Sequence, residues 1–212
     1  MEMRETIIAR HLLQIKAIKL EPAKPFLWSS GWISPIYCDN RLILSFPETR
    51  KLVRDSFCEL IRTYYPPAGL VAGVATGAIA HGVLAAEALG LPFAYVRPEP
   101  KGHGLSNRIE GRVSEGEPVV VIEDLVSTGR SSLSAVNALR SAGCEVLGML
   151  AVFSYGFDVA GRNFSKDSCE LRTLTNYDTL IKVAADMGFV NSDHLETLKE
   201  WRQDPAGWRK NN

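Results

Sequence analysis

The chain lacks a surplus of charge of either sign: 24 lysines and arginines stand against 24 aspartates and glutamates. A neutral balance supplies no general electrostatic footprint for nucleic acid, so nucleic acid is not an expected partner. Cysteine is scarce. Cys38, Cys58, Cys144 and Cys169 are far apart and form no Cys-x-x-Cys pair. That pattern argues against zinc sites and disulfide frameworks and for free thiols in a reducing compartment. Long apolar runs are missing as well. The most membrane-like stretch, residues 69–96, is interrupted by His81, Glu87 and Pro92, whereas a bilayer span needs about 20 largely uninterrupted apolar residues. The opening "MEMRETIIARHLLQIKAIKL" has no continuous apolar core before a small-residue cleavage site, and its apolar residues recur at helical spacing, which predicts an amphipathic helix and not a leader. The expectation is a cytoplasmic protein with no membrane partner. Repeats and low-complexity tracts are absent too.

What is present is a 212-residue chain, 46% hydrophobic and 23% charged, the proportions of one ordinary globular domain with a sizeable core. Residues 1–66 read as a helix, a turn-rich stretch "EPAKPFLWSSGWISPIYCDNR" and a second helix. After "PPAG" the pattern changes to strands alternating with helices. "LVAGVAT", "PFAYVR", "PVVVIEDLVS" and "EVLGMLAVFSYG" are strands. "GAIAHGVLAAEALG" and "RSSLSAVNALRSAG" are helices closed by Gly90 and Gly143. Such alternation implies right-handed crossovers and a mostly parallel sheet flanked by helices. We therefore divide the domain into an N-terminal helical cap region (1–66), a parallel α/β core (67–160) and a mostly helical C-terminal region (161–212). The loop of roughly 20 residues between "YVR" and "PVVV" is longer than ordinary connections, which marks it as either a functional lid or a solvated surface loop.

The stretch "VVVIEDLVSTGRSS", residues 119–132, is the most informative. Its β-branched run leads to two acids, Glu123 and Asp124, where an open α/β sheet presents ligands beyond the carboxyl ends of its strands. The loop that follows offers hydroxyls and backbone N–H groups ahead of a helix N-terminus, an arrangement suited to phosphate. Acids beside a phosphate loop fit a ligand with hydroxyls at one end and phosphate at the other, such as a ribose 5-phosphate, or a divalent cation. G-x-x-x-x-G-K-[ST] and G-x-G-x-x-G are both missing, which argues against nucleotide-triphosphate and dinucleotide sites. G-x-S-x-G is missing too, so no nucleophile elbow is present. On this segment alone a strand-to-helix turn with incidental acids stands level with a ligand site. His11, His81 and His194 have no clustered ligand partners and read as structural or surface residues.

The same stretch resembles the phosphoribosyl-pyrophosphate signature of the type I phosphoribosyltransferases. Three further segments narrow the likeness to orotate phosphoribosyltransferases: "PFLWSSGWISPIYCDNRLILSFPE" is similar to their base-site region, "AGVATGAIAHG" to their pyrophosphate-side loop and "AYVRPEPKGHG" to their catalytic loop. These motifs occur in order over almost the whole chain. The resemblance implies a type I phosphoribosyltransferase fold with an N-terminal base-binding cap. It also implies transfer of the 5-phosphoribosyl group from phosphoribosyl pyrophosphate to orotate. Arg97, Lys101 and His103 would stabilise the departing pyrophosphate. Glu123 and Asp124 would take the ribose hydroxyls, directly or through Mg²⁺ that arrives mainly with the substrate. Leu125, Val126, Ser127, Thr128, Gly129, Arg130 and Ser131 would form the 5′-phosphate loop. Ala75, Thr76 and Gly77 would approach the pyrophosphate, while Ser127, Phe26, Ser34 and Tyr37 would border the base. A homodimer is implied, with the 98–112 loop acting across the interface. The chain departs from the family pattern at Pro98, where many members carry Lys, at Ser29 and Tyr155, where others hold the base carboxylate with Lys or Arg, and at Arg130. The base-side changes motivate one rival, a transferase for uracil or a purine; a second is a non-catalytic sensor of phosphoribosyl pyrophosphate, since fold does not fix function.

Overall fold

The computed structural model describes residues 3–28, 30–99 and 108–209. Helix α1 (Arg4–Gln14) turns Ile8, Ala9, Leu12 and Leu13 inward, the stripe that its apolar spacing predicts. The turn-rich stretch is more ordered than its composition suggested. It contains β2 (Phe26–Leu27), β3 (Ile33–Ser34) and β4 (Ile36–Cys38), while β1 (Ile18–Leu20) ends the opening stretch that was expected to be helical throughout, because α1 stops at Gln14. The β2–β3 hairpin is nested inside the antiparallel β1–β4 pair. Two- and three-residue strands are too short for an alternating pattern to declare itself. A 3-10 helix (Asn40–Ser45) follows, with Asp39 accepting from the Arg41 N–H at 3.2 Å. Helix α2 (Pro47–Tyr64) then opens on proline, which its first turn tolerates because that N–H would be unpaired anyway.

Beyond it come β5 (Leu70–Val74), α3 (Ile79–Leu89), β6 (Phe93–Val96), β7 (Ile109–Glu110), β8 (Pro118–Val126), α4 (Arg130–Ser141), β9 (Glu145–Ser154), α5 (Asp158–Lys166), β10 (Leu171–Asn176), α6 (Tyr177–Asp186) and α7 (Ser192–Gln203). Six strands form one sheet in the order β10-β9-β8-β5-β6-β7. All neighbours are parallel except β6 and β7, which pair antiparallel through Tyr95↔Glu110 and Val96↔Ile109. Central β5 is buried at every position, as a strand covered on both faces must be.

Two boundaries differ from the sequence reading. The sheet does not stop at residue 160, because β10 pairs with β9 from Leu171↔Met149 to Asn176↔Ser154. The region 161–212 is therefore not simply helical: it supplies an edge of the core sheet. Arg172, Thr173 and Thr175 hide that strand by diluting its apolar signal. The long connection is also shorter than expected, since β7 returns part of it to the sheet.

Gly148 in β9 illustrates how tightly the core is filled. A Cβ there would lie 2.8 Å from Tyr65 Cζ, and the Tyr65 hydroxyl is held by a hydrogen bond to Glu170 Oε2 at 3.0 Å. Any shift of the ring has to strain or break that bond. Gly148→Ala is expected to cost about 1–3 kcal/mol by overpacking. At ~2–4 °C per kcal/mol for a domain of this size, the loss is read from thermal unfolding; an unchanged midpoint would contradict it.

Candidate active site

The strand order locates the crevice. From β5 the chain crosses through α3 to β6 on one side, and from β8 through α4 to β9 on the other. The connections diverge between β5 and β8, and such a switch point opens a ligand crevice at the carboxyl ends of the strands. Its two walls are the turn after β5, which carries Ala75, Thr76 and Gly77, and the end of β8, which carries Glu123, Asp124 and the loop Ser127–Ser131.

The two acids separate. Glu123 is only 4% exposed. Its carboxylate accepts from Ser132 Oγ at 2.8 Å and from the Asp124 N–H at 3.0 Å, so it ties the strand end to the first turn of α4. Burial, and then the neighbouring Asp124 charge, push its pKa well up. Asp124 is half-buried and lies against Gly77, where a Cβ would fall on its carboxylate. Expected as an equal pair toward a sugar, the acids differ in role because successive strand residues face opposite sides of the sheet.

The loop after β8, expected to take phosphate, has its turn geometry fixed by its neighbours. Gly129, with φ 78°, caps α4 and no side chain makes a cap hydrogen bond there, leaving first-turn N–H groups free of a side-chain cap. A Cβ at Gly129 would lie 2.7 Å from the Phe164 ring, so both the positive φ and the close ring require glycine. Asn163 Nδ2 donates to the Thr128 carbonyl at 2.9 Å. Both buttresses come from α5. Within the loop Val126 and Gly129 are buried, Leu125, Ser127 and Thr128 half-buried, and Arg130 and Ser131 exposed. Across the crevice, Thr76 is exposed and Ala75 and Gly77 half-buried, with a cis peptide between Ala75 and Thr76. A groove of about 830 Å³ beside the loop is bordered by Arg108, Arg130 and Lys166. Arg130 is the one member of that border predicted from sequence.

Arg97 lies 3.6 Å from Glu110 across the β6–β7 pair. Its N–H donates to the Arg108 carbonyl at 2.8 Å, and Arg108 Nε donates back to the Arg97 carbonyl at 3.0 Å. These bonds clasp the two sides of the connection. Lys101 and His103, assigned to leaving-group stabilisation, lie outside the described residues, as does Ser29. Pro98 is described and carries no regular structure.

On the base side, Phe26 and Tyr37 face each other at 5.4 Å between ring centroids. Ser34 corrects the sequence reading. It is fully buried, and its hydroxyl donates to the Ile36 carbonyl at 2.8 Å and accepts from the Ile36 N–H at 3.2 Å. It holds a turn and presents no open face to a base. Tyr155 is only 2% exposed. It packs on Trp28 at 5.0 Å, is stacked with Phe157 at 5.4 Å and meets Trp201 edge-on at 5.8 Å. After β9 this chain builds an aromatic cluster around Tyr155. Burial raises the Tyr155 phenol, helped by nearby Cys38.

Sequence reasoning missed Asn40, Asn163 and Phe164, and gave His81 no part near the site. His81 is buried; burial depresses its imidazole, while Asp124 and the Asn40 backbone pull the other way. Each is remote in sequence from what it supports, so no local pattern could have marked it.

The crevice at this switch point sets a carboxylate opposite a small-residue turn, with the α4 N-terminus beside it. The family described as "Phosphoribosyl transferase domain" matches residues 43–189. The orotate phosphoribosyltransferase of Cytophaga hutchinsonii is 53% identical over 96% of this chain and 97% of its own length. That of Bacillus subtilis is 50% identical over 96% and 94%. The crystal structure of orotate phosphoribosyltransferase from Aeropyrum pernix superposes with a TM-score of 0.75 at 29% identity, covering 87% of this chain and 99% of the other. The chain belongs to the orotate phosphoribosyltransferase family.

Proposed function

We infer that this protein transfers the 5-phosphoribosyl group from phosphoribosyl pyrophosphate to orotate, giving orotidine 5′-monophosphate and pyrophosphate. The bond from ribose C1 to the pyrophosphate oxygen breaks, a bond from C1 to orotate N1 forms, and the N1 proton is released to solvent or to the departing pyrophosphate. The observation that carries this reading is the junction at the end of β8, where half-buried Asp124 and an uncapped α4 N-terminus share one crevice. Asp124 takes the ribose hydroxyls, and the loop Ser127–Ser131 takes the 5′-phosphate. Thr76 and Gly77 let backbone approach the pyrophosphate. Arg97, with Lys101 and His103, offsets the charge that builds on the leaving group; a guanidinium fork suits two phosphate oxygens. The protein's task is positioning and fixed charge, with no covalent nucleophile.

Mg²⁺ belongs to the same proposal. Among the described residues no group of three or more His, Cys, Asp and Glu could cage an ion. The residues present fit an ion that reaches the site on pyrophosphate and shares one carboxylate, Asp124, which is how Mg²⁺ is commonly held. Such an ion supplies neutralising charge on the pyrophosphate. A homodimer is supported by α3, whose apolar residues leave Val83 44% exposed; a helix apolar on most sides calls for a further cover. A cytoplasmic location is supported by the four free cysteines. No helix among the described residues is long and apolar enough to cross a membrane.

The test follows orotate absorbance with phosphoribosyl pyrophosphate, with and without magnesium. Magnesium-dependent loss of orotate with matching pyrophosphate release is expected. Turnover of uracil or a purine in place of orotate would overturn the reading. Asp124→Asn should raise the KM for phosphoribosyl pyrophosphate by roughly ten- to a hundredfold, the ~1.5–3 kcal/mol of a charged hydrogen bond. A selective rise in the KM for orotate would contradict the assigned role.

A further inference from the structure

We propose that Asn40 is a positioning residue for phosphoribosyl transfer, its side-chain amide fixing the backbone of Asp124 in the gap between β5 and β8. Asn40 Nδ2 donates to the Asp124 carbonyl at 2.6 Å, across 84 residues of chain. The inference rests on the role given above to Asp124.

The sheet explains why a side chain is needed there. Pairing between β5 and β8 ends at Gly73↔Ile122, whereas β8 stays paired with β9 as far as Val126↔Ser154. Past Ile122, β8 therefore loses its neighbour on the crevice side just as it reaches the acids. An unpaired carbonyl at that depth costs free energy and leaves the strand end free to shift. The Asn40 amide stands in for the missing strand. Only its NH₂ end can face a carbonyl, so the orientation follows from chemistry.

The arrangement carries a cost that folding alone does not explain. Asn40 is 1% exposed, and its Oδ1 is buried without a partner. A buried amide satisfied at one end is a poor stabiliser. Its use is to hold one atom, and that atom belongs to the residue that faces Gly77 and the crevice. Because Asn40 begins the 3-10 helix that follows β4, the contact also joins the cap region to the ribose end of the site. The titratable or charged groups around it are Asp124 on β8, His81 on α3, Cys38 on β4, and Asp39 and Arg41 on its own segment.

The experiment compares wild type, Asn40→Ala and Asn40→Asp for kcat and both KM values, and for phosphoribosyl pyrophosphate binding by calorimetry, from mildly acidic to mildly alkaline pH. Asn40→Ala should raise the KM and Kd for phosphoribosyl pyrophosphate by about tenfold, with the orotate KM within about twofold of wild type. An ionised Asp at position 40 has no proton for the carbonyl, whereas its protonated form donates as the amide does. The kcat/KM of Asn40→Asp relative to wild type should therefore recover as pH falls, while the Asn40→Ala ratio stays flat. A lowered unfolding temperature with unchanged constants, or a flat Asn40→Asp ratio, would overturn the proposal. If Asn40→Ala does not fold, the isosteric Asn40→Asp profile decides alone. Failure of wild type to consume orotate would overturn the functional reading instead, and calorimetry would still report on Asn40.

Discussion

Gly77→Ala is expected to lower kcat/KM for phosphoribosyl pyrophosphate by about a hundredfold, with an unfolding temperature close to wild type. The backbone at Gly77 is not in the left-handed region, so alanine meets no conformational barrier there. The obstacle is its Cβ, which would fall on Asp124, with Oδ1 2.7 Å away and Oδ2 and Cγ closer still. The carboxylate has to turn aside, and a displacement of ~1 Å in a positioned group costs on the order of a hundredfold in rate. Fold stability is spared because a half-exposed carboxylate can swing toward solvent. Steady-state kinetics and thermal unfolding on the same samples read both quantities. In an Asp124→Ala background the Gly77→Ala change should add little, since the two act through one contact. Near-wild-type kinetics, or a full additional loss in the double variant, would show that Gly77 does not work through Asp124.

Glu123→Gln is expected to become more stable than wild type as pH rises. Glu123 is buried, its carboxylate bonded to Ser132 and to the Asp124 N–H. Burial first, and the Asp124 charge second, raise its pKa well above the ordinary 4.5. The sign follows by linkage. With a folded pKa above the unfolded one, the native state holds the proton longer, so the stability tied to this group is complete below the unfolded pKa. It is lost as pH climbs from there through the raised folded value. Glutamine keeps an acceptor and carries no charge, so it escapes that loss. The two proteins should unfold at similar temperatures in acid, and the gap should open toward alkaline pH. A constant gap across that range would mean that Glu123 titrates as an exposed carboxylate does.

The sequence by itself determined the periodic elements and the order of the motifs. The β-branched run of β8 ends in two acids and a glycine-containing loop, and that local pattern dictates strand, turn and helix in succession because period-2 and period-3.6 patterns bury different faces. The helix stops at Gly90 and Gly143 were equally legible, since both carry positive φ, at 67° and 87°, a conformation that costs glycine little. Residue types alone left a sugar-phosphate site level with an incidental turn, and the order of the four motifs tipped the balance. What the tertiary structure alone decided is which of those residues border the crevice. Whether Glu123 or Asp124 turns inward depends on the sheet register and on α4 packing above it. Tyr155 is closed off by a neighbour that the chain brings from elsewhere, Trp201 from α7, whereas Ser34 is taken up by a turn with Ile36, two residues on. β10 was hidden because an edge strand can carry Arg and Thr and still be held by its ladder to β9. The supports of the site, Asn40 on Asp124 and Asn163 and Phe164 on the phosphate loop, are contacts across 84 and 35 residues. Local propensity reports on neighbours in the chain, whereas a hydrogen bond of 2.6 Å between segments that far apart exists only once the sheet has placed both ends.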